Sequence, residues 1–118
     1  MIIAFSDDQT VEVFSDISSV RGQCEAIDVE AGIYTFFNEY GQRLSARIIS
    51  PVRRTSLPFG MKLVGGGNYE LDLDANDKGT AFDTFLGEAV AIEPNPDFAT
   101  IADLARFVAE NRRRKNLS

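Results

Sequence analysis

Ile33-Tyr34-Thr35-Phe36-Phe37-Asn38-Glu39-Tyr40-Gly41-Gln42-Arg43-Leu44-Ser45-Ala46-Arg47-Ile48-Ile49-Ser50 is the stretch that decides the fold. Its first six residues are mainly aromatic and apolar, residues 39–42 hold turn formers, and 43–50 alternate in polarity. Two β-prone runs separated by a short turn containing glycine predict a β-hairpin.

The same grammar extends toward the N-terminus. Met1–Phe5 reads as a short apolar strand, Ser6–Gln9 as a turn, and Thr10–Phe14 as an alternating second strand. Ser15 or Asp16 can cap a helix. Ile17, Val20, Cys24 and Ile27 follow at helical spacing, which predicts a helix over 16–26. Gly22 weakens that helix by about 1 kcal/mol relative to alanine. Gly32 ends an acidic connection into the central hairpin.

On the other side, Pro51 and Pro58 bracket a loop carrying Arg53 and Arg54. Gly60–Val64 and Asn68–Asp74 are predicted to pair as a further hairpin across Gly65–Gly67. In the second of these strands Tyr69, Leu71 and Leu73 share one face, and Glu70, Asp72 and Asp74 share the other. Phe82, Phe85, Leu86, Ala89 and Val90 have the spacing of an amphipathic helix, with Thr80 and Asp83 as its capping pair. Gly87 keeps a strand over Ala89–Glu93 open as the alternative. Residues 93–96 form a loop, because each proline disfavours helix in the residue before it. Thr100 and Asp103 cap a last helix with Ile101, Leu104, Ala105 and Val108 on one face. The expected order is β-β-α-β-β-β-β-α-α. That order describes an α+β fold: a mostly antiparallel sheet with about three helices packed on one face.

At 118 residues the chain suits a single domain over 1–118, with a basic C-terminal tail from about 112. Its start lacks the basic and apolar segments of a signal peptide, and its one cysteine forms no internal disulfide, so a cytoplasmic location is expected. No run of residues is long and apolar enough to span a membrane.

Eighteen acids against 12 bases give a net charge of −6. Without Arg112, Arg113, Arg114 and Lys115 the remainder stands at −10, from 18 acids and eight bases. Such a body repels nucleic acid and favours a basic protein partner. The four terminal bases complement a helix dipole and have no interleaved aromatic residue on which a base could stack.

Histidine is absent, which removes histidine-based nucleophilic catalysis, general bases and metal ligands. Cys24 falls on the apolar face of the first predicted helix and reads as a small core residue. Asp72, Asp74 and Asn76 match the first three ligand positions of a calcium loop. Asp77 then stands where that loop needs glycine and Asp83 where it needs glutamate. No metal or cofactor is therefore expected. Gly65–Gly67 lacks the lysine and hydroxyl residue of a phosphate loop and reads as a turn.

Two segments, Glu25–Leu44 and Glu93–Phe98, resemble small uncharacterised bacterial proteins. In size, acidity and lack of catalytic residues the chain is similar to immunity proteins that neutralise bacterial toxins. That resemblance implies a non-catalytic, protein-binding role: an immunity or antitoxin-like inhibitor of a basic bacterial toxin. Tyr69, Glu70, Asp72, Asp74 and Asp77 are the candidate partner-binding residues. The alternatives are a structural or regulatory protein that self-associates as a homo-oligomer through a sheet edge or apolar patch, and an enzyme working with carboxylates alone.

Overall fold

A computed structural model describes residues 1–56, 58, 62–65 and 67–117. The elements run β1 (Ile2–Ser6), β2 (Thr10–Phe14), α1 (Ile17–Gln23), α2 (Ala26–Glu30), β3 (Tyr34–Asn38), β4 (Arg43–Ser50), β5 (Arg53–Ser56), β6 (Lys62–Gly65), β7 (Asn68–Leu73), α3 (Ala81–Glu88), β8 (Ala91–Ile92) and α4 (Ile101–Leu117). Six strands form one sheet in the order β7-β4-β3-β1-β2-β8, antiparallel except where β8 runs parallel to β2. β5 and β6 form a separate two-stranded sheet. The fold class is α+β, as the patterning predicts.

The helices lie on both faces of the sheet, not on one as expected. β1 is apolar at both parities: Ile3 and Phe5 join one core with Phe37, Phe82, Leu104 and Val108. Ala4 joins another with Phe14, Val20, Cys24, Phe36 and Tyr69. A strand apolar on both sides must be covered on both sides. The third and fourth helices cover the first face, and the first two cover the second.

The predicted helix over 16–26 is two short ones. Asp16 caps α1 by accepting from the Ser19 N–H at 2.9 Å. At Cys24 the backbone turns extended (φ −102, ψ 97). This frees its carbonyl to accept the Tyr69 hydroxyl at 2.6 Å. Val20, Cys24 and Val29 then all enter the same core.

Among the described residues the expected pairing of Gly60–Val64 with Asn68–Asp74 is not formed. Gly60, Met61 and Gly66 lie outside the described residues, while β6 pairs with β5 and β7 pairs with β4. β4 offers β7 a match that sequence neighbours do not. Leu44, Ala46 and Ile48 stand opposite Leu73, Leu71 and Tyr69, and Ser45 and Arg47 stand opposite Asp72 and Glu70. Apolar meets apolar and polar meets acid in each of these five pairs, the condition that sets strand register. Arg53 and Arg54, expected in a loop, belong to β5.

Both readings of residues 81–93 hold in part. α3 ends at Glu88, Ala89 is extended, and Ala91–Ile92 adds to the sheet edge. Thr80 makes no side-chain cap: its backbone is helical (φ −106, ψ −18) where a capping residue is extended, and the Asp83 carboxylate pairs with Arg112 instead of reaching back to it. At α4 the expected cap forms, with Thr100 Oγ1 accepting from the Asp103 N–H at 3.1 Å. The tail expected from about 112 is the end of α4, still helical to Leu117.

Candidate functional site

The alternation in β7 places Glu70, Asp72 and Asp74 on the face opposite Tyr69, as its period requires. Their charges are not unpaired. Arg47 Nε donates to Asp72 at 2.9 Å. Asp74 accepts Ser45 Oγ at 2.9 Å and stands 4.0 Å from Arg43 Nε. Arg21, from α1, spans the open edge of β7, donating to the Tyr69 carbonyl at 3.0 Å and pairing with Glu70. Exposed pairs of this kind contribute about 0–1 kcal/mol each. Their local effect is to occupy the carboxylates that a basic partner would need.

Asp74 and Asp77 organise the turn after β7. Asp74 accepts the Asn76 N–H at 2.8 Å, and Asp77 accepts the Arg43 N–H at 2.8 Å and the Gly79 N–H at 3.0 Å. The Asn76 amide, with Ser45 and Arg43 adding to it, holds the Asp74 carboxyl below its ordinary range. These oxygens close an Asx-type turn by themselves. Thermal melts in EDTA and in excess Ca²⁺ are expected to superimpose. A rise of several degrees in Ca²⁺ would reveal a native-state cation site, because ligand that binds only the folded form raises stability.

Tyr69 must leave the list of binding residues. It is 2% exposed, and its hydroxyl is spent on the Cys24 carbonyl. Burial pushes the Tyr69 hydroxyl up to about 12 and the Cys24 thiol to about 12. A thiol so protonated is a poor nucleophile. Cys24 is a core residue, as its position on the apolar face of the helix implies. Among the described residues no three histidine, cysteine or acidic side chains gather to hold a metal ion. No helix among them is long and apolar enough to cross a membrane.

A second acidic feature escapes a reading of the sequence. An open cleft of about 500 Å³ is lined by Glu12, Val13, Phe14, Gln23, Glu93 and Pro94. Glu12 comes from the middle of β2, and Glu93 follows β8, the parallel strand beside it. The Glu93 N–H donates to the Val11 carbonyl at 2.8 Å, which fixes this residue next to β2. Glu12 is half-buried, and burial, with the charges of Glu93 and Asp8 adding to it, raises its carboxyl above the ordinary 4.5. Among the described residues no base lines the cleft. The two glutamates lie 81 residues apart, and only the β2–β8 pairing brings them together. A strand over Ala89–Glu93 is open in the sequence as an alternative, but nothing there says that it joins β2.

In comparisons with family models, with curated proteins and with solved structures, no match was found, so the functional reading stands on this chain's own residues.

Proposed function

We propose that the chain is a non-catalytic protein-binding module for a basic protein, most concretely an immunity or antitoxin-like inhibitor of a basic bacterial toxin. The observation that carries this reading is the cleft at Glu12 and Glu93. Two carboxylates share a concavity with no counter-charge among the described residues, and one of them is raised by its surroundings. A lysine or arginine entering from a partner would relieve that strain. Such complementarity steers encounter and sets specificity more than it adds affinity. Val13, Phe14 and Pro94 supply apolar wall for the stem of such a side chain. The acids of β7 are the weaker anchor, because Arg21, Arg43 and Arg47 already meet them.

The test is a pull-down from lysate of the source cells with the wild-type chain, with Glu12→Gln/Glu93→Gln and with Asp72→Asn/Asp74→Asn, each followed by mass spectrometry. A basic protein held by the wild type and by the Asp72/Asp74 variant, but lost from the Glu12/Glu93 variant, supports the cleft. Equal retention on all three removes it.

Glu12 also makes a prediction about stability. Its folded carboxyl lies above its ordinary 4.5, so the folded state binds a proton more readily than the unfolded chain does. Ionised Glu12 therefore destabilises the fold at neutral pH, and that penalty vanishes as both states protonate below about 4.5. Glu12→Gln is expected to match or exceed wild-type stability at pH 7 and to lose the advantage in acid. Urea melts across pH 4–8 check this; a variant less stable than wild type at pH 7 contradicts it.

A further inference from the structure

β2 is flanked on both sides for only part of its length. On the side away from β1, β8 pairs Ala91 with Thr10 and Ile92 with Val11 and ends there, while β2 runs on to Phe14. Pro94 has no N–H with which to continue the ladder. The Glu93 carbonyl accepts the Asn95 side-chain amide at 3.0 Å, and Asn95 Oδ1 accepts the Asp97 and Phe98 N–H groups at 3.0 and 2.7 Å. This turn carries the chain away from β2 and buries Phe98 in the core with Leu104 and Val108.

The length of β2 left open presents its backbone to the cleft. Gln9 accepts the Val90 N–H at 2.9 Å and Val11 accepts the Glu93 N–H at 2.8 Å, both on the β8 side. Residues two apart along a strand turn their N–H and C=O groups to the same side. Val13 therefore aims both groups away from β1, past the end of β8, where the residue lines the cleft. Among the described residues no strand pairs with β2 at that point. The other edge of the sheet differs. Along β7, Arg21 reaches across to the Tyr69 carbonyl and to Glu70. Sheets are guarded in this way because an unpaired edge is a template for another strand.

Resting on the reading of this cleft as the partner site, we infer that the basic partner enters it as an extended segment, which adds a strand to β2 beyond β8 and turns a lysine or arginine toward Glu12 and Glu93. Main-chain bonds to Val13 supply part of the affinity and fix the direction of the segment, and side chains at alternate positions supply the selectivity. Glu12 and Val13 turn their side chains to opposite faces of the sheet. The segment therefore needs a base at one position and a β-branched or apolar residue at the next, where its side chain falls on the Val13 face.

The probe is a short capped peptide of alternating threonine and lysine, titrated into the isotope-labelled full chain and followed by amide NMR. Binding is expected to slow hydrogen exchange at the Val13 amide and to leave the Glu93 amide, already bonded to Val11, unchanged. The same peptide N-methylated at every inner amide keeps its charges and loses its donors. It should bind about tenfold more weakly or not at all, the effect of losing one or two hydrogen bonds. A threonine–glutamate peptide should not bind, and Glu12→Gln/Glu93→Gln should bind the lysine peptide more weakly than wild type does. Undiminished binding of the methylated peptide, or binding that leaves exchange at Val13 unaltered, overturns strand addition while the cleft stands as a site for a base alone. No binding of the lysine peptide, or equal binding of the glutamate peptide, overturns it as well. Whether the cleft holds a partner at all is answered separately by the lysate pull-down, so the two readings fail independently.

Discussion

Leu104→Ala is expected to lose about 2–5 kcal/mol of stability in urea unfolding, with the fold otherwise retained. Leu104 is fully buried in the cluster formed by Ile3, Phe5, Val11, Phe37, Phe82, Phe98 and Val108. Truncation removes the transfer free energy of three carbons and leaves a cavity, and the cost grows with how little the walls can close. Here the sheet-side wall is a set of interlocked rings. Phe5, Phe37 and Phe82 meet edge to face with centroids 5.3–5.7 Å apart. Moving one ring into the void would break two such contacts, each contributing about 0.5–1.5 kcal/mol. The loss should therefore fall in the upper half of the range. Val90→Ser is the control: Val90 is 69% exposed, and the change should stay within about 0.5 kcal/mol. A Leu104→Ala loss below about 0.5 kcal/mol would mean that α4 is not docked on this core.

That Leu104 is a core residue is legible in the sequence, because Ile101, Leu104, Ala105 and Val108 repeat at helical spacing and the helix is long. The strands β1 to β4 and β7 are legible for the parallel reason that period-2 alternation or an aromatic run marks each. What is not legible is partner choice. Nothing in Gly60–Val64 says that it prefers β5 to β7; that preference comes from the eight-residue length of β4 and the pairwise match of its side chains to β7. The placement of helices on both faces was present in the runs Ile2–Phe5 and Phe36–Phe37, which leave no polar face to expose.

The candidate site shows the same division. The acidic alternation of β7 predicts correctly which way the carboxylates point. It cannot reveal that Arg21, 48 residues before Tyr69, reaches across to that strand. Tyr69 is misread because an aromatic residue beside acids looks like a binding surface, while its place on the apolar parity already marks it as core. Glu12 is masked by the opposite effect. It occupies the polar slot of an alternating strand, and only its neighbour across the β8 edge makes it unusual.

The basic end of α4 yields the second large effect, at the glycine it touches. Arg112 Nε donates to the Tyr40 carbonyl at 2.7 Å, and its Nη1 bridges both carboxylate oxygens of Asp83 at 3.1 and 3.2 Å. The guanidinium lies 5.4 Å from the Phe82 ring centroid. Asn111 donates to the Glu39 carbonyl at 3.0 Å, and Lys115 sits 4.7 Å from the Tyr40 ring centroid. Together they fasten the last turns of α4 to the β3–β4 turn, which is why this segment is helix and not tail. The fastening depends on Gly41, whose φ of +70 is left-handed and whose missing Cβ leaves the space the guanidinium fills.

Gly41→Ala should therefore cost about 2–4 kcal/mol: about 1–2 for the left-handed backbone, and the rest for charged hydrogen bonds displaced when Arg112 is pushed out. Gly79→Ala separates the two parts. Gly79 has φ +80 with open space around its Cβ position, so it should show the backbone cost alone, about 1–2 kcal/mol. Arg112→Ala should cost about 1–3 kcal/mol, held down by the partial exposure of its pair with Asp83. In the double variant Gly41→Ala/Arg112→Ala the alanine methyl meets no guanidinium, so the combined loss should fall about 1–2 kcal/mol short of the sum, as it does for residues in contact. Gly79→Ala and Arg112→Ala should add. Four urea melts complete the cycle. Additivity of Gly41→Ala with Arg112→Ala would show that the two residues do not share that space, and the docking of the basic turn would need another cause.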